Sequence, residues 1–327
     1  MNDKIAITIG TIAAALIGLV AIVLIWHLGR RKLTVIPFVI AIIALLITSV
    51  LFWYTHRPLP DNLSGQIFQG ISYSREVLDI DGPVIVHIVR VDLHAPGIHF
   101  FVTPNEPNGN YVLRARTTSE LLKEFGLQVA INADFFDPWR DYGFWDYYPH
   151  EGDGINLRGL TVSQGNHYTE GYAPPENYHT LFITQDNLAS FTPPQTPVYN
   201  AISGNIMITV DGQAVPIDKT NDYLTGKHPR TAVALDKSSN TLTLFVVDGR
   251  QPNYSEGVTI PELAAIILAR GGYDSLNLDG GGSVTLAIEG SNAQPQVLNS
   301  PIHSHIPGRE RPVGNHLGIF AQPITGG

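Results

Sequence analysis

The chain has 327 residues, 44% of them hydrophobic, with 20 Lys+Arg against 29 Asp+Glu for a formal net charge of −9. That is too apolar for a disordered chain and too acidic, with no Lys/Arg run after Lys32, for nucleic acid to be a partner. With no cysteine, disulfides, thiolate metal sites and a cysteine nucleophile are excluded.

Residues 1–57 carry five basic groups, Lys4, Arg30, Arg31, Lys32 and Arg57, against Asp3 alone. Two uncharged stretches of 22 residues, Ile5–Trp26 and Leu33–Tyr54, flank a short loop holding three of those charges. Each would reach roughly 30 Å as a helix, the thickness of a bilayer core. Pro37 would sit in the first turn of the second, where its missing N–H costs nothing. The expectation is a two-helix transmembrane hairpin with membrane contact through residues 5–54. The basic loop would lie in the cytoplasm, so the rest would be an extracytoplasmic domain of a multi-pass inner-membrane protein.

Pro58-Leu59-Pro60 reads as the start of a stalk and lead-in over 58–83, with a single domain over 84–322. Val84–Asp92 is β-branched and half alternating, which predicts a strand with one well-buried face. Thr117-Thr118-Ser119-Glu120 has capping-box spacing; the helix it opens should stop at Gly126 and give way to a strand, Leu127–Asn132. Thr231–Asp236 and Thr241–Val247 alternate on either side of a polar four-residue loop, a hairpin signal. Thr259-Ile260-Pro261-Glu262 opens a second helix, running to Arg270 and stopped by Gly271-Gly272, and a strand over Ser275–Asp279 follows. The pattern predicts an α+β fold: a mixed β-sheet domain with flanking helices, preceded by the transmembrane hairpin. Helix, strand and an Asn-x-Asp turn occur twice, at Asn132-Ala133-Asp134 and Asn277-Leu278-Asp279, and the two turns could face each other across a cleft.

The densest chemical signal is Asp279-Gly280-Gly281-Gly282-Ser283. Three glycines imply positive φ or close approach to the main chain, and their N–H groups could form an anion nest; a tight turn with Asp279 capping its own loop is the plainer alternative. No Lys follows, so it is not a Walker loop, and it lacks the Gly-x-Ser-x-Gly nucleophile elbow. Arg230, after His228-Pro229, offers a fork for phosphate or is a paired surface group. Asp248 opens the Asp248-Gly249 turn at a strand end, as a functional carboxylate or a turn former. Trp139, Tyr142, Phe144, Trp145, Tyr147 and Tyr148 crowd Asp137–His150 and could wall a sugar site or form a satellite core. His303-Ser304-His305 lacks a spaced third ligand for a metal.

The ordered set Ile131-Asn132-Ala133-Asp134-Phe135-Phe136, Arg158–Gly165, His228–Val233, Val247–Arg250, Thr259–Leu263, Asn277–Ser283 and Arg311-Pro312-Val313-Gly314-Asn315 resembles the phosphodiester glycosidase family. That family includes N-acetylglucosamine-1-phosphodiester α-N-acetylglucosaminidase and bacterial exopolysaccharide-related proteins. The resemblance implies a hydrolase that cleaves the glycosidic bond of a sugar-1-phosphodiester, such as one of N-acetylglucosamine, to free sugar and a phosphomonoester. Its partner would then be a glycan or sugar-phosphodiester of the cell envelope or an exported polysaccharide. Carried over by motif, Asp279 and Asp248 would be catalytic. Asn132, Phe136, Arg230, Gly280, Gly281, Gly282, Ser283, Arg311 and Asn315 would bind substrate, the phosphate resting on Arg230, Arg311 and the glycine N–H groups. The family often has Gly after the Asn where this chain has Ala133-Asp134, which leaves Asp134 outside the carried-over set. No cofactor is required, though structural calcium is compatible with so acidic a domain. Two other functions fit the same residues: a non-catalytic envelope glycan-binding protein, and a metal-dependent phosphodiesterase cutting P–O through Asp134, Asp248 and Asp279.

Overall fold

The computed structural model describes residues 35–143, 145–169 and 178–324. The chain divides into two compact units, one reaching Leu59 and including Pro252–Tyr254, the other holding the remainder from Pro60.

In the first unit the expected outer span, Ile5–Trp26, lies outside the described residues. The second falls on a helix, Val35–Thr55, with Leu45, Val50 and Phe52 exposed. Among the described residues, however, no helix is long and apolar enough to cross a membrane. The transmembrane hairpin, the membrane as a partner, and the membrane-anchored, multi-pass and extracytoplasmic placement are corrected accordingly.

The second unit is the mixed α+β sheet domain with flanking helices. Its largest sheet runs Leu63–Phe68, Ile71–Asp79, Pro83–Asp92, Thr241–Val247, Arg230–Leu235, Asp274–Asn277, Ile206–Val210 and Gln213–Ala214. The lead-in thus supplies two strands of this sheet. The neighbouring strands pair antiparallel throughout, and the expected hairpin closes with Arg230 opposite Val247 and Leu235 opposite Leu242. Its loop is held by Asp236, whose carboxylate accepts from the Asn240 and Thr241 N–H groups at 2.8 Å each.

Alternation along these strands builds two cores at once. Val89, Val91, Val233, Leu235, Leu242, Leu244 and Val246 face a second sheet, ordered Pro295–Val297, Leu286–Glu289, Val129–Asn132, His316–Phe320 and His99–Val102, whose Val129, Ile131, Leu286, Leu317 and Ile319 join the same core. Val84, Val86, Ile88, Ala232, Ala234, Phe245 and Val247 point the other way, onto the helix Ile260–Leu268. The outer face of the second sheet, with Phe101, Ala130 and Ala287, packs against Leu121 and Leu122 of the helix Thr118–Phe125. The layers are therefore helix, sheet, sheet, helix.

Both helices begin where the sequence places them. Thr117 accepts from the Glu120 N–H and Gly126 closes the helix in the left-handed conformation at φ +66°. Thr259 and Glu262 form a complete capping box, with proline in the first turn. The second helix ends at Leu268, two residues before the expected Arg270. Thr259→Ala removes one side-chain acceptor from the N-terminal turn, and urea unfolding should show about 1 kcal/mol of lost stability.

Candidate active site

The two Asn-x-Asp turns meet where the two large sheets come together. Asn132, the last residue of its strand and fully buried, donates through Nδ2 to the Asp279 carbonyl at 2.6 Å. Its Oδ1 accepts from Thr231 Oγ1 of the first sheet at 2.8 Å and from the Thr285 N–H at 3.1 Å. Backbone bonds complete the seam, from Asp279 N–H to Ala133 O and from Leu278 N–H to Thr231 O, both 2.9 Å. The turns are thus in direct contact rather than on opposite sides of a cleft, and Asn132 is a clamp beneath the site.

Above this seam opens a cleft of about 520 Å³, and Asp279 lies on its floor. Its carboxyl is pushed up to about 6, mainly by burial, against the opposing influence of Ser283, Arg311 and the Gly280 N–H. Asp134 is fully buried behind it and does not line the cleft. It accepts from Thr161 Oγ1 at 2.8 Å and the Ser203 N–H at 2.7 Å, with Asn315 beside it. Burial nonetheless raises it to about 7, and the nearby Asp279 adds to that.

Two of the three glycine N–H groups are engaged within the protein. The Gly280 N–H is directed at Asp279 Oδ1 and the Gly281 N–H at the Pro229 carbonyl, so neither faces outward for a phosphate. What the glycines admit is charge. Gly281 has φ +64°, and a Cβ there would lie 3.1 Å from Arg250 Nη1; a Cβ on Gly282 would lie 2.6 Å from Arg311 Nη2. Two guanidinium groups therefore lie against the glycine turn, beside Asp279.

Arg311 donates to Asp141 Oδ2 at 2.5 Å and to His303 Nδ1 at 3.2 Å, and its guanidinium sits 5.3 Å from the Trp139 ring centroid. Asp141, which lines the cleft, is held below the usual carboxylate range: Ser304 and Arg311 outweigh its partial burial. Arg250 contacts His228 at 3.3 Å, and burial together with Arg250 and Arg230 keeps that imidazole neutral, down at about 4. Arg158 joins the wall paired with Asp137, its Nη2 donating to Oδ1 at 2.7 Å. Phe135, Phe136, Trp139, Tyr178 and Tyr223 supply aromatic surface.

Of the residues expected from sequence, Asp279, the three glycines, Phe136 and Arg311 line the cleft, and buried Ser283 stands next to Asp279. Three others are placed elsewhere. Asp248 is 1% exposed and committed to the Ser300 N–H at 2.9 Å, Asn299 Nδ2 at 3.1 Å and His87 Nε2 at 3.3 Å, so it holds a loop. Arg230 is fully buried and donates to the carbonyls of Tyr223, Gly226 and Val258; it supports Tyr223 from behind instead of holding phosphate. Asn315 is buried, its Oδ1 accepting from the His316 N–H at 2.9 Å.

Sequence reading passed over Asp141, Arg158 and Arg250. Arg250 lies in the block that drew attention to Asp248, and its φ of +58° marks backbone strain of the kind found at working sites. The aromatic segment divides: Trp139 lines the cleft, Tyr142 and Trp145 are more than four-fifths exposed, and Phe144 lies outside the described residues. Among the described residues no three His, Asp or Glu side chains are grouped to hold a metal ion. Asp134, Asp248 and Asp279 do not converge, which corrects the metal-dependent alternative that relied on them.

A family model described as phosphodiester glycosidase matches residues 125–320, more than half of the chain. The chain belongs to the phosphodiester glycosidase family. Among solved structures, the catalytic domain of zebrafish N-acetylglucosamine-1-phosphodiester α-N-acetylglucosaminidase, auto-inhibited by its pro-peptide, shares the fold at TM-score 0.55. It is 22% identical, over 81% of this chain and 85% of that one. A hypothetical protein from Synechocystis is similar at TM-score 0.50 and 16% identity, over 80% of this chain and 64% of that one. The SPbeta prophage-derived protein YomE of Bacillus subtilis (strain 168) is 41% identical over 64 residues, so the chain spans about a tenth of that relative's length. Membership of the phosphodiester glycosidase family suggests hydrolase activity.

Two measurements test the geometry. Asn132→Ala leaves the Thr231 hydroxyl and Thr285 N–H without their acceptor, and should cost roughly 1–3 kcal/mol in urea unfolding. A carboxyl held above its unfolded value near 4 favours folding while protonated, a contribution full below about pH 4 and lost as pH rises through its folded value. With Asp279 at about 6 and Asp134 at about 7, unfolding free energy should fall between pH 4 and pH 8, and Asp134→Asn should flatten the upper part of that fall.

Proposed function

We propose that the chain hydrolyses the glycosidic bond of a sugar-1-phosphodiester, releasing free sugar and a phosphomonoester. The observation that carries this reading is a raised carboxyl on the floor of a cleft, beside two guanidinium groups packed on the glycine turn. A phosphodiester is already an anion and leaves as one, so the reaction needs positive charge at the departing oxygen more than a strong acid.

Arg250 and Arg311 lie where the phosphate would rest, Arg311 partly neutralised by Asp141 and Arg250 beside a neutral imidazole. The aromatic wall of Trp139, Tyr178 and Tyr223 would accept the sugar ring, its apolar face against theirs. Asp279 is then the general base. Its carboxylate takes a proton from water, the water oxygen bonds to the anomeric carbon, and the C1–O bond breaks with its electron pair staying on the phosphate. The proton on Asp279 returns to solvent. A carboxyl near 6 is poised for this exchange close to neutrality. Asp141, kept ionised by Arg311, stabilises the oxocarbenium-like charge or the guanidinium geometry but moves no proton. The zebrafish relative is named for N-acetylglucosamine-1-phosphodiesters, which makes esters of N-acetylglucosamine-1-phosphate the first substrates to try.

Hydrolysis of such an ester in ¹⁸O-labelled water should put the label in the free sugar; label in the phosphate would mean P–O cleavage and would overturn the assignment. Asp279→Asn should lower kcat by at least about 100-fold with the thermal unfolding transition preserved. The base must be ionised, so kcat/KM should decline as pH falls through about 6. An ordinary carboxylate would carry activity down to about 4.

A further inference from the structure

The His303-Ser304-His305 motif, which lacks a third metal ligand, ends inside the reaction cleft. His303 and Ser304 are buried, while His305 is exposed and lines the cleft with Asp279 and the three glycines. The backbone reaches this arrangement at a cost: Ser304 and His305 both lie in the left-handed region, at φ +51° and +61°. A non-glycine residue there is strained, and two in succession persist only where their surroundings hold them. Asp141, on the hairpin strand Arg140–Asp141, does the holding, accepting from the Ser304 N–H at 3.2 Å and from Ser304 Oγ at 2.9 Å.

Glycine would take the position of His305 without strain, so what the fold keeps there is a side chain rather than a turn. Its neighbours give the place of that side chain. The turn packs against Gly281–Ser283, the segment on which the two guanidinium groups rest. Arg311, assigned to the phosphate, donates from Nε to His303 Nδ1 at 3.2 Å in the same turn. His305 therefore enters the cleft from the phosphate side, and an imidazole carries an N–H donor whether neutral or charged.

Resting on the proposed hydrolysis, we infer that His305 is a further catalytic residue, whose ring N–H donates a hydrogen bond to the phosphate oxygen that leaves C1. Negative charge gathers on that oxygen as the C1–O bond breaks and is complete in the phosphomonoester. The hydrogen bond therefore strengthens from bound ester to transition state to product, and its weight falls on kcat rather than KM. The imidazole moves no proton; Asp279 takes the proton of water, and Arg250 and Arg311 hold the oxygens that do not bridge to the sugar.

The test uses the methyl ester of N-acetylglucosamine-1-phosphate and its product, methyl phosphate. His305→Leu, which keeps bulk without a donor, should lower kcat at least about tenfold with KM within about twofold of wild type. It should also weaken inhibition by methyl phosphate at least about fivefold, because the product carries the full charge that His305 meets. His305→Gln, which restores an N–H donor, should recover much of both losses. His305→Gly should lose as much kcat as His305→Leu while its thermal unfolding midpoint stays level or rises, since the backbone strain is released. Equal losses in His305→Gln and His305→Leu, a loss carried by KM, or no loss at all would overturn the inference. If wild type does not cleave the ester the hydrolysis reading fails, and calorimetry with methyl phosphate decides His305 separately. Binding by wild type that weakens in His305→Leu and returns in His305→Gln sustains the phosphate contact; no wild-type binding, or binding indifferent to these changes, removes it.

Discussion

The amide of Asn132 is the interaction on which the rest of the site depends. It is fully buried, and it ties together the first sheet through Thr231, the loop to the next strand through Thr285, and the main chain of Asp279. A buried amide so engaged is stable only while all its partners stay in place, because each would otherwise be an unsatisfied polar group in a low-dielectric interior. The clamp therefore fixes the position of one catalytic candidate by requirements of folding. It also explains why two similar Asn-x-Asp turns occur in the chain: one supplies the clamp and the other the group it holds.

Around that clamp the site is an electrostatic compromise. Two carboxyls, Asp134 and Asp279, are buried, each raised mainly by that burial, and Asp279 adds to the rise at Asp134. Two guanidinium groups approach within reach of the same turn, and burial, with Arg311 beside it, lowers the proton affinity of Arg250. Three glycines make this approach sterically available, and Asp141 offsets part of the positive charge. Like charges held in proximity by a rigid double-sheet frame cost stability, and an anionic substrate would relieve that cost on binding.

Much of the fold was legible because its signals are local. The Thr117 cap and the Thr259 capping box, the left-handed stop at Gly126 and the alternation at Thr231–Val247 depend on near neighbours, and each element formed within a few residues of its expected place. The layers followed from the same alternation, since Val84, Val86 and Ile88 must face away from Val89 and Val91. The apolar N-terminal region misled for the opposite reason: an uncharged run states what could enter a bilayer without stating that it does. Asp248 and Arg230 misled because polar residues at strand ends read alike whether they face a cleft or bury themselves in hydrogen bonds.

The sequence by itself determined the elements, the family, the acidic charge and the turn bearing Asp279, because these rest on short-range propensity and on the order of motifs. Only the tertiary structure decided which charges converge. Arg250 and Arg311 are 61 positions apart in number and Asp141 comes from a distant hairpin, yet all three line one cleft with Asp279. Asp248, two residues from Arg250, turns inward to Ser300 and Asn299 instead. Facing in or out at such positions is set by which sheet edge and which loop lie opposite, a long-range property that spacing along the chain does not carry.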